Sequence, residues 1–300
     1  MSRAAAVPAG LAWWADEPGG ADWLRRLPRL IGECAGAWSL ELGPPFEPAH
    51  ISYVAGARRA DGTEAVLKLN FPEPESEQET DALAWWGGDG AVRLLEHDAD
   101  RRALLVERCR PGTQLWAVAD EVEANRIAAG GLRRLWKPAP RDHPYRLLAD
   151  ETARWQEEIP PSWQRVGRPC PRALIDEFVA HCLELAPSQR GLVVCHQDLH
   201  GGNVLAATRE PWLAIDPKPL VGEREFDAAS LLRDRRGELL ADPHPERRLR
   251  ARLDQLSSEL DLDRERIRGW GIVHALAWGL DDDGYEAAHL ECARLLTEAR

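Results

Sequence analysis

The sequence predicts an α+β fold in which a small antiparallel β-sheet lobe is followed by a larger, mainly helical lobe. Short β-patterned stretches with turn signals fill the first hundred residues, and after Pro111-Gly112 the pattern changes to long helical stretches. A few short strands interrupt those helices around residues 192–216. The change of pattern falls between Glu107 and Gly112, giving a β-rich lobe with an N-terminal helix over residues 1–108 and a helical lobe over residues 109–300, with a cleft between them.

From Leu11 to Trp38, Trp, Leu and Arg recur at roughly helical spacing, ending near Gly43-Pro44-Pro45. Ile51 to Ala55 and Ala65 to Leu69 read as strands joined at Asp61-Gly62, a hairpin turn signal. Glu75 to Trp86 is acidic at its start and apolar towards its end, as the first turn of a helix prefers. Val92 to Leu95 and Ala103 to Val106 form a second hairpin turning at Asp98-Ala99-Asp100. Helical stretches then follow at 114–136, 144–158, 171–186, 226–241, 245–260, 263–280 and 284–299. Lys137 to Pro144 and Pro160-Pro161 read as connections between them. Neither an internal repeat nor a low-complexity tail interrupts the pattern.

A formal net charge of −12 disfavours nucleic acid and anionic membrane surfaces as partners. It suits a cationic small substrate without requiring one. Cys34, Cys109, Cys170, Cys182, Cys195 and Cys292 are scattered, with no CxxC pair and no signal peptide ahead of them. They read as reduced cytosolic thiols rather than a disulfide framework or a zinc site. No run approaches the ~18 apolar residues of a membrane span. The thirteen Trp are read mainly as packing mass, and the Ala-rich start around Arg3 as a frayed end.

Chemistry concentrates between Leu192 and Asp216. An apolar strand delivers the polar loop His196-Gln197-Asp198-Leu199-His200-Gly201-Gly202-Asn203, and Trp212 to Ile215 forms a second short strand ending on Asp216. A phosphoryl transferase needs a carboxylate to accept or orient the proton of the acceptor hydroxyl. It also needs an Asn carbonyl and a second carboxylate to hold Mg²⁺ against nucleotide phosphates. The short turn puts Asp198 and Asn203 on one rim, and the hairpin from 204 to 215 brings Asp216 beside them. Any one of these residues is more commonly a turn or cap residue; the joint spacing is what points to catalysis. Reading His196, Asp198 and His200 as a metal cluster fits the residue types but leaves Asn203 and Asp216 unexplained.

The loop from His196 to Asn203 resembles the catalytic loop of the aminoglycoside phosphotransferase superfamily, whose members share the protein-kinase-like two-lobed fold. The continuation Ala214-Ile215-Asp216-Pro217-Lys218-Pro219-Leu220-Val221-Gly222-Glu223, with Phe226-Asp227, is similar to one branch, the streptomycin 6-phosphotransferases and hydroxyurea phosphotransferases. That similarity reaches back through Leu104 to Arg108, Gly90 to Leu95, Ala65 to Lys68 and Tyr53-Val54, covering about residues 40–235. Gln197 departs from the Gly common in the wider superfamily and crowds the loop without displacing a catalytic group. The resemblance implies ATP and Mg²⁺ as cofactors, Asp198 as catalytic base, Asn203 and Asp216 as Mg²⁺ ligands, and Lys68 facing the α- and β-phosphates. It makes Glu79 the partner of Lys68, with Glu75 and Glu77 as competitors, and the backbone of Glu107 to Cys109 the hinge that bonds adenine. Asp227 and His196 would brace the loop.

No GxGxxG lies between Leu42 and Leu69; the segment Pro48 to Gly56, containing Ser52, is the candidate to cover the phosphates. That absence, with the lack of DFG and APE signatures, argues against a conventional protein kinase. Asp281, Asp282 and Asp283, after the apolar run Val273 to Leu280, are candidates to bind guanidinium or ammonium groups, or else form a solvated helix end or cap. Glu223 and Glu225 are further candidates. Three functions stay open: a kinase of streptomycin or a related aminoglycoside, a kinase of hydroxyurea or another small hydroxyl compound, and a nucleotide-binding scaffold with little catalysis. Lys68, Asp198, Asn203 and Asp216 together weigh against the scaffold.

Overall fold

The computed structural model describes residues 7–47 and 51–299, so Arg3 and the stretch Pro48 to His50 of the candidate phosphate-covering segment lie outside the described residues. The chain divides into two compact units, one ending at Gly112 and the other beginning at Thr113.

The first unit is a five-stranded antiparallel sheet backed by one long helix. Strands β1 (Leu40–Pro45), β2 (Tyr53–Arg59), β3 (Glu64–Leu69), β4 (Leu94–Asp98) and β5 (Ala103–Glu107) line up in the order β1-β2-β3-β5-β4. At the β2–β3 turn, Gly62 takes φ +87° and Asp61 accepts from the Thr63 N–H at 2.8 Å, so the Asp-Gly pair makes the hairpin its chemistry favours. Helix α1 (Gly20–Ala37) buries Trp23, Leu27, Leu30, Ile31 and Cys34, a stripe at helical spacing. That stripe meets Ala55, Leu67 and Leu105 of the sheet. Each such buried aliphatic chain is worth roughly 1.5–3 kcal/mol.

The stretch from Leu11 to Trp38 is not one helix: a 3-10 segment, Ala9–Asp16, stops before α1 begins. The break follows from Gly19, at φ +81°, and from Gly20, where a Cβ would lie 1.6 Å from the Trp14 carbonyl oxygen. Two residues missed as a strand, Leu40 and Leu42, pair through β1 with Arg59 and Ala57. Helix α2 (Glu79–Trp86) starts later than the acidic run suggests, after a 3-10 turn at Pro74–Ser76.

The second unit is helical around one buried element. Helices α3 (Glu121–Leu135), α4 (Leu148–Arg165) and α5 (Arg172–Leu185) precede the strands that lie between Val193 and Gly222. Helices α6 (Arg224–Ala229), α7 (Arg236–Leu240), α8 (Pro245–Leu260), α9 (Arg264–Gly279) and α10 (Ala287–Glu298) follow them. Every residue of α9 from Ile267 to Leu276 is buried, and α5, α6, α8 and α10 pack around it. A helix covered on all sides should be largely apolar, and over the buried stretch of α9 the exceptions, Arg268 and His274, are hydrogen-bonded. Strand β10 (Leu220–Gly222) lies parallel to β6 (Arg146–Leu147) and antiparallel to β7 (Val193–Cys195), while β8 (Val204–Ala206) and β9 (Trp212–Ala214) make a separate hairpin.

Two expected boundaries are corrected here. Helix α4 runs straight through Pro160-Pro161, because burying Ile159 and Trp163 outweighs the two absent N–H groups. The stretch 226–241 is broken into α6, a 3-10 turn at Ser230–Arg233 and α7, with Arg235 at φ +49° between them. Each of the six cysteines is a free thiol; burial pushes Cys34 and Cys292 up to about 11 and Cys182 to about 12. Among the described residues no helix is long and apolar enough to cross a membrane.

Candidate active site

In the first unit, β3 alternates its side chains so that Lys68 turns away from solvent, its side chain 9% exposed. Its Nζ donates to both carboxylate oxygens of Glu79, at 2.8 Å each. Asn70 Nδ2 also donates to Glu79, at 2.7 Å, and the Ser52 hydroxyl donates to Asn70 Oδ1 at 2.7 Å. Glu79 is therefore fixed from two sides. Of its competitors, Glu77 is exposed and lies 3.6 Å from Arg102, and Glu75 sits in the 3-10 turn before α2. Glu107 ends β5 with its own N–H given to the Arg93 carbonyl at 2.9 Å, and Cys109, two residues on, is buried.

In the second unit the loop after β7 is pinned from beneath by Asp227, at the start of α6. One Asp227 oxygen accepts from the backbone N–H of Gln197 at 2.8 Å. The other accepts from the His196 N–H at 3.1 Å and from Trp136 Nε1 at 2.9 Å. Burial pushes this carboxyl up from its ordinary range, against the pull of His196 and the N–H donors. His196 is wholly buried and its imidazole is held down by burial; its Nε2 lies 3.0 Å from the Ile215 carbonyl, tying the loop to the end of β9.

Asp198 emerges from this cradle partly exposed. Asn203 Nδ2 donates to the Asp198 carbonyl at 3.0 Å, which leaves the Asn203 Oδ1 lone pairs for another partner. The Ile215 N–H donates to the Asn203 carbonyl at 2.9 Å, so Asp216 follows directly beside Asn203. Asp216 takes φ +59°, a left-handed conformation that costs a non-glycine residue roughly 1–2 kcal/mol. An amide oxygen and a carboxylate are hard donors of the kind Mg²⁺ takes, one or two from the protein with water and phosphate filling its shell. The alternative cluster of His196, Asp198 and His200 does not form. His196 is spent on Ile215, His200 stacks on Trp116, and no group of three or more His, Cys, Asp or Glu gathers for a metal among the described residues.

Gln197 does not crowd the loop. It adopts φ +68°, the region where glycine is at ease, and its side chain is buried with Oε1 accepting from Arg146 at 3.2 Å. The triplet at the end of α9 is locally engaged. Asp281 Oδ1 accepts from the N–H groups of Asp283 and Gly284 at 2.9 and 2.7 Å, and Asp282 pairs with Arg165 and Ser162. Those partners hold the Asp282 carboxyl below its usual range. Glu223 is fully buried against Arg266 and Trp270, a structural ion pair, and burial pushes the Glu225 carboxyl up.

Sequence reading missed a second support for Asp198. Arg233 Nη2 donates to Asp198 Oδ1 at 3.3 Å, and its Nε donates to His274 Nδ1 at 2.9 Å. His274 Nε2 lies 3.0 Å from the Gln197 carbonyl, which can only accept, so Nε2 carries the proton and the ring is neutral. Burial, then Arg233, holds this imidazole well below its usual pKa. Trp278 stacks on it at 4.1 Å between centroids. For His274 a signal existed, as the lone polar residue in the apolar run of α9, whereas Arg233 is hidden in the charged run Arg233-Asp234-Arg235-Arg236.

A family model described as aminoglycoside/hydroxyurea antibiotic resistance kinase matches residues 39–283. The chain is 38% identical to a streptomycin 6-kinase of Streptomyces griseus over 283 residues, covering 92% of this chain and 91% of that protein. It is 36% identical to a hydroxyurea phosphotransferase of Kitasatospora aureofaciens, covering 88% and 76%. Among solved structures, the choline kinase LicA of Streptococcus pneumoniae superposes with a TM-score of 0.59 at 14% identity, covering 91% of this chain and 98% of that one. The aminoglycoside phosphotransferase APH(3'')-Id of Streptomyces rimosus, solved with ADP and streptomycin, gives 0.55 at 19% identity, covering 85% and 99%. Likeness at such identities speaks to the fold, which is protein-kinase-like, and the sequence match speaks to kinship: the chain belongs to the aminoglycoside/hydroxyurea antibiotic resistance kinase family of small-molecule phosphotransferases.

Proposed function

We propose that this enzyme transfers the γ-phosphoryl group of ATP to a hydroxyl of streptomycin or a closely related aminoglycoside. The observation that supports the reading is the loop geometry, in which Asn203 bonds the Asp198 carbonyl and accepts from Ile215, the neighbour of Asp216, in a chain 38% identical to a streptomycin 6-kinase. Asp198 accepts the acceptor's proton through Oδ2, since Oδ1 already takes the Arg233 hydrogen bond. The acceptor oxygen bonds to Pγ as the bond from Pγ to the β-bridging oxygen breaks, and ADP departs. General-base help of this kind contributes about 10²–10⁴ in rate.

Lys68, steadied by Glu79, supplies fixed positive charge for the α- and β-phosphates, and the backbone around Glu107 to Cys109 meets the adenine. Asn203 and Asp216 would hold Mg²⁺, which neutralises phosphate charge when bound. Hydroxyurea is the second acceptor, favoured by the 36% identity to a hydroxyurea phosphotransferase. The test is ADP release with ATP and Mg²⁺ over a panel of streptomycin, other aminoglycosides and hydroxyurea, with Asp198→Ala as control. Stimulation by streptomycin, lost in Asp198→Ala while ATP still binds, is the expected result. Stimulation by hydroxyurea alone would move the acceptor, and undiminished turnover by Asp198→Ala would remove the base.

A further inference from the structure

Beside Asp198 the second unit holds an open pocket of about 560 Å³ whose walls include Trp116, His200, Arg233, Asp234 and Arg236. Its aromatic wall is fixed from several directions. Trp116 Nε1 donates to Asp234 Oδ1 at 2.7 Å, and the other oxygen of that carboxylate accepts from the Gly201 N–H of the catalytic loop at 2.8 Å. The indole lies nearly parallel to the His200 imidazole, 11° apart with centroids 5.1 Å away. Gly201 and Gly202 make room for it, since a Cβ at either would come within 2.4 and 2.7 Å of indole atoms. Arg235 Nη2 then donates to the carbonyls of Leu115, Trp116 and Val118, at 3.2, 2.9 and 2.6 Å.

An indole so immobilised is nevertheless 43% exposed. The ring is oriented before a ligand arrives, so binding to it has little ordering cost left. The arginines around it are already engaged: Arg233 with Asp198 and His274, Arg235 with the three carbonyls, Arg236 with Glu286 at 3.1 Å. The one carboxylate in the walls, Asp234, is engaged as well, so what the pocket offers a ligand is the negative π face of the exposed indole. His200 Nε2, on the covered side of the indole, is 4.0 Å from Asp198 Oδ2, so a molecule resting on the open face reaches the base past the His200 ring.

We propose that Trp116 is the platform for the acceptor, taking a guanidinium- or ammonium-bearing ring over its indole face while a hydroxyl of the same molecule reaches Asp198. The inference rests on the reading above of a cationic aminoglycoside acceptor. Indole is the strongest of the aromatic faces for a cation within about 6 Å. Two variants separate this from a merely structural role: Trp116→Phe keeps an aromatic face, and Trp116→Leu keeps apolar bulk against the two glycines without one. Streptomycin binding by calorimetry and steady-state KM values for streptomycin and ATP would be measured for both and for the wild type. The expected result is a KM for streptomycin raised about tenfold in Trp116→Leu and less than about threefold in Trp116→Phe, with the ATP KM unmoved. Equal shifts in the two variants, or a shift in the ATP KM alone, would overturn the platform while streptomycin turnover by the wild type kept the acceptor reading. A wild type that neither binds nor phosphorylates streptomycin would overturn both.

Discussion

Arg233 shows how a side chain that sequence pattern ignores can govern one that it finds. Its planar fork spans two acceptors, Asp198 Oδ1 and His274 Nδ1, while His274 in turn holds the backbone of Gln197. A lysine keeps the charge but cannot reproduce the fork. Arg233→Lys is expected to lower kcat about ten- to a hundredfold with little change in KM for either substrate; steady-state kinetics checks it, and a loss confined to KM would give Arg233 a binding role instead. Lys68→Met takes the ammonium away from the buried Glu79 carboxylate, to which Asn70 still donates, so the ATP KM should rise at least about tenfold. Stability should fall by about 3–5 kcal/mol, read by calorimetry and urea unfolding. Asp198, Asn203 and Asp216 are legible because their spacing along one loop and hairpin is local. Arg233 and His274 are not, because they reach the loop from 35 and 77 residues away.

Among the elements, α9 has the most constrained sequence. Its glycines stand where neighbours pass close: a Cβ on Gly271 would meet methyl groups of Leu232 and Leu296 at 2.7 and 2.8 Å. Gly271→Val should therefore cost about 1–3 kcal/mol through overpacking, despite valine's better helix propensity; a urea midpoint equal to the wild type's would show that the two leucines yield freely. Most helices of the second unit were legible, and α8 runs over residues 245–260 as its pattern indicates. However, Arg146–Leu147 inside the expected helix 144–158 is strand β6, Leu115–Ala117 is a 3-10 turn ahead of α3, and β10 lies beyond the strands expected at 192–216. Boundaries failed where tertiary contacts outweigh local signals. Pro160-Pro161 punctuates the sequence but not α4. The single helix expected at 226–241 is bent so that Asp234 can accept from both Gly201 and Trp116.

For the molecule as a whole, buried imidazoles set the response to acid. Burial holds His196 down and His274 well down, and burial with Arg233 and Arg236 brings His289 to about 4. Unfolded, each titrates near 6.5. Below that pH the unfolded chain binds protons that the folded chain refuses, so stability falls as pH drops from about 6.5 towards 4, by at most about 1.4 kcal/mol per pH unit for each histidine. Asp227, whose carboxyl is raised, acts in the opposite sense in the carboxylate range. Melting temperatures should decline steadily from pH 7 to pH 5, and a flat profile would mean these rings accept protons in place. The change from β to helical patterning is legible because it is abrupt, whereas the packing of α1 on the sheet was not. That packing separates kinship from foldability. The shared family pattern starts at residue 39, yet Leu11, Trp14, Trp23, Leu27, Leu30, Ile31 and Cys34 supply one wall of the first unit's core, and α10 beyond residue 283 covers α9. A chain trimmed to its recognisable span would retain every residue assigned to catalysis and lose the walls that keep the sheet and the central helix dry, so it should aggregate rather than work.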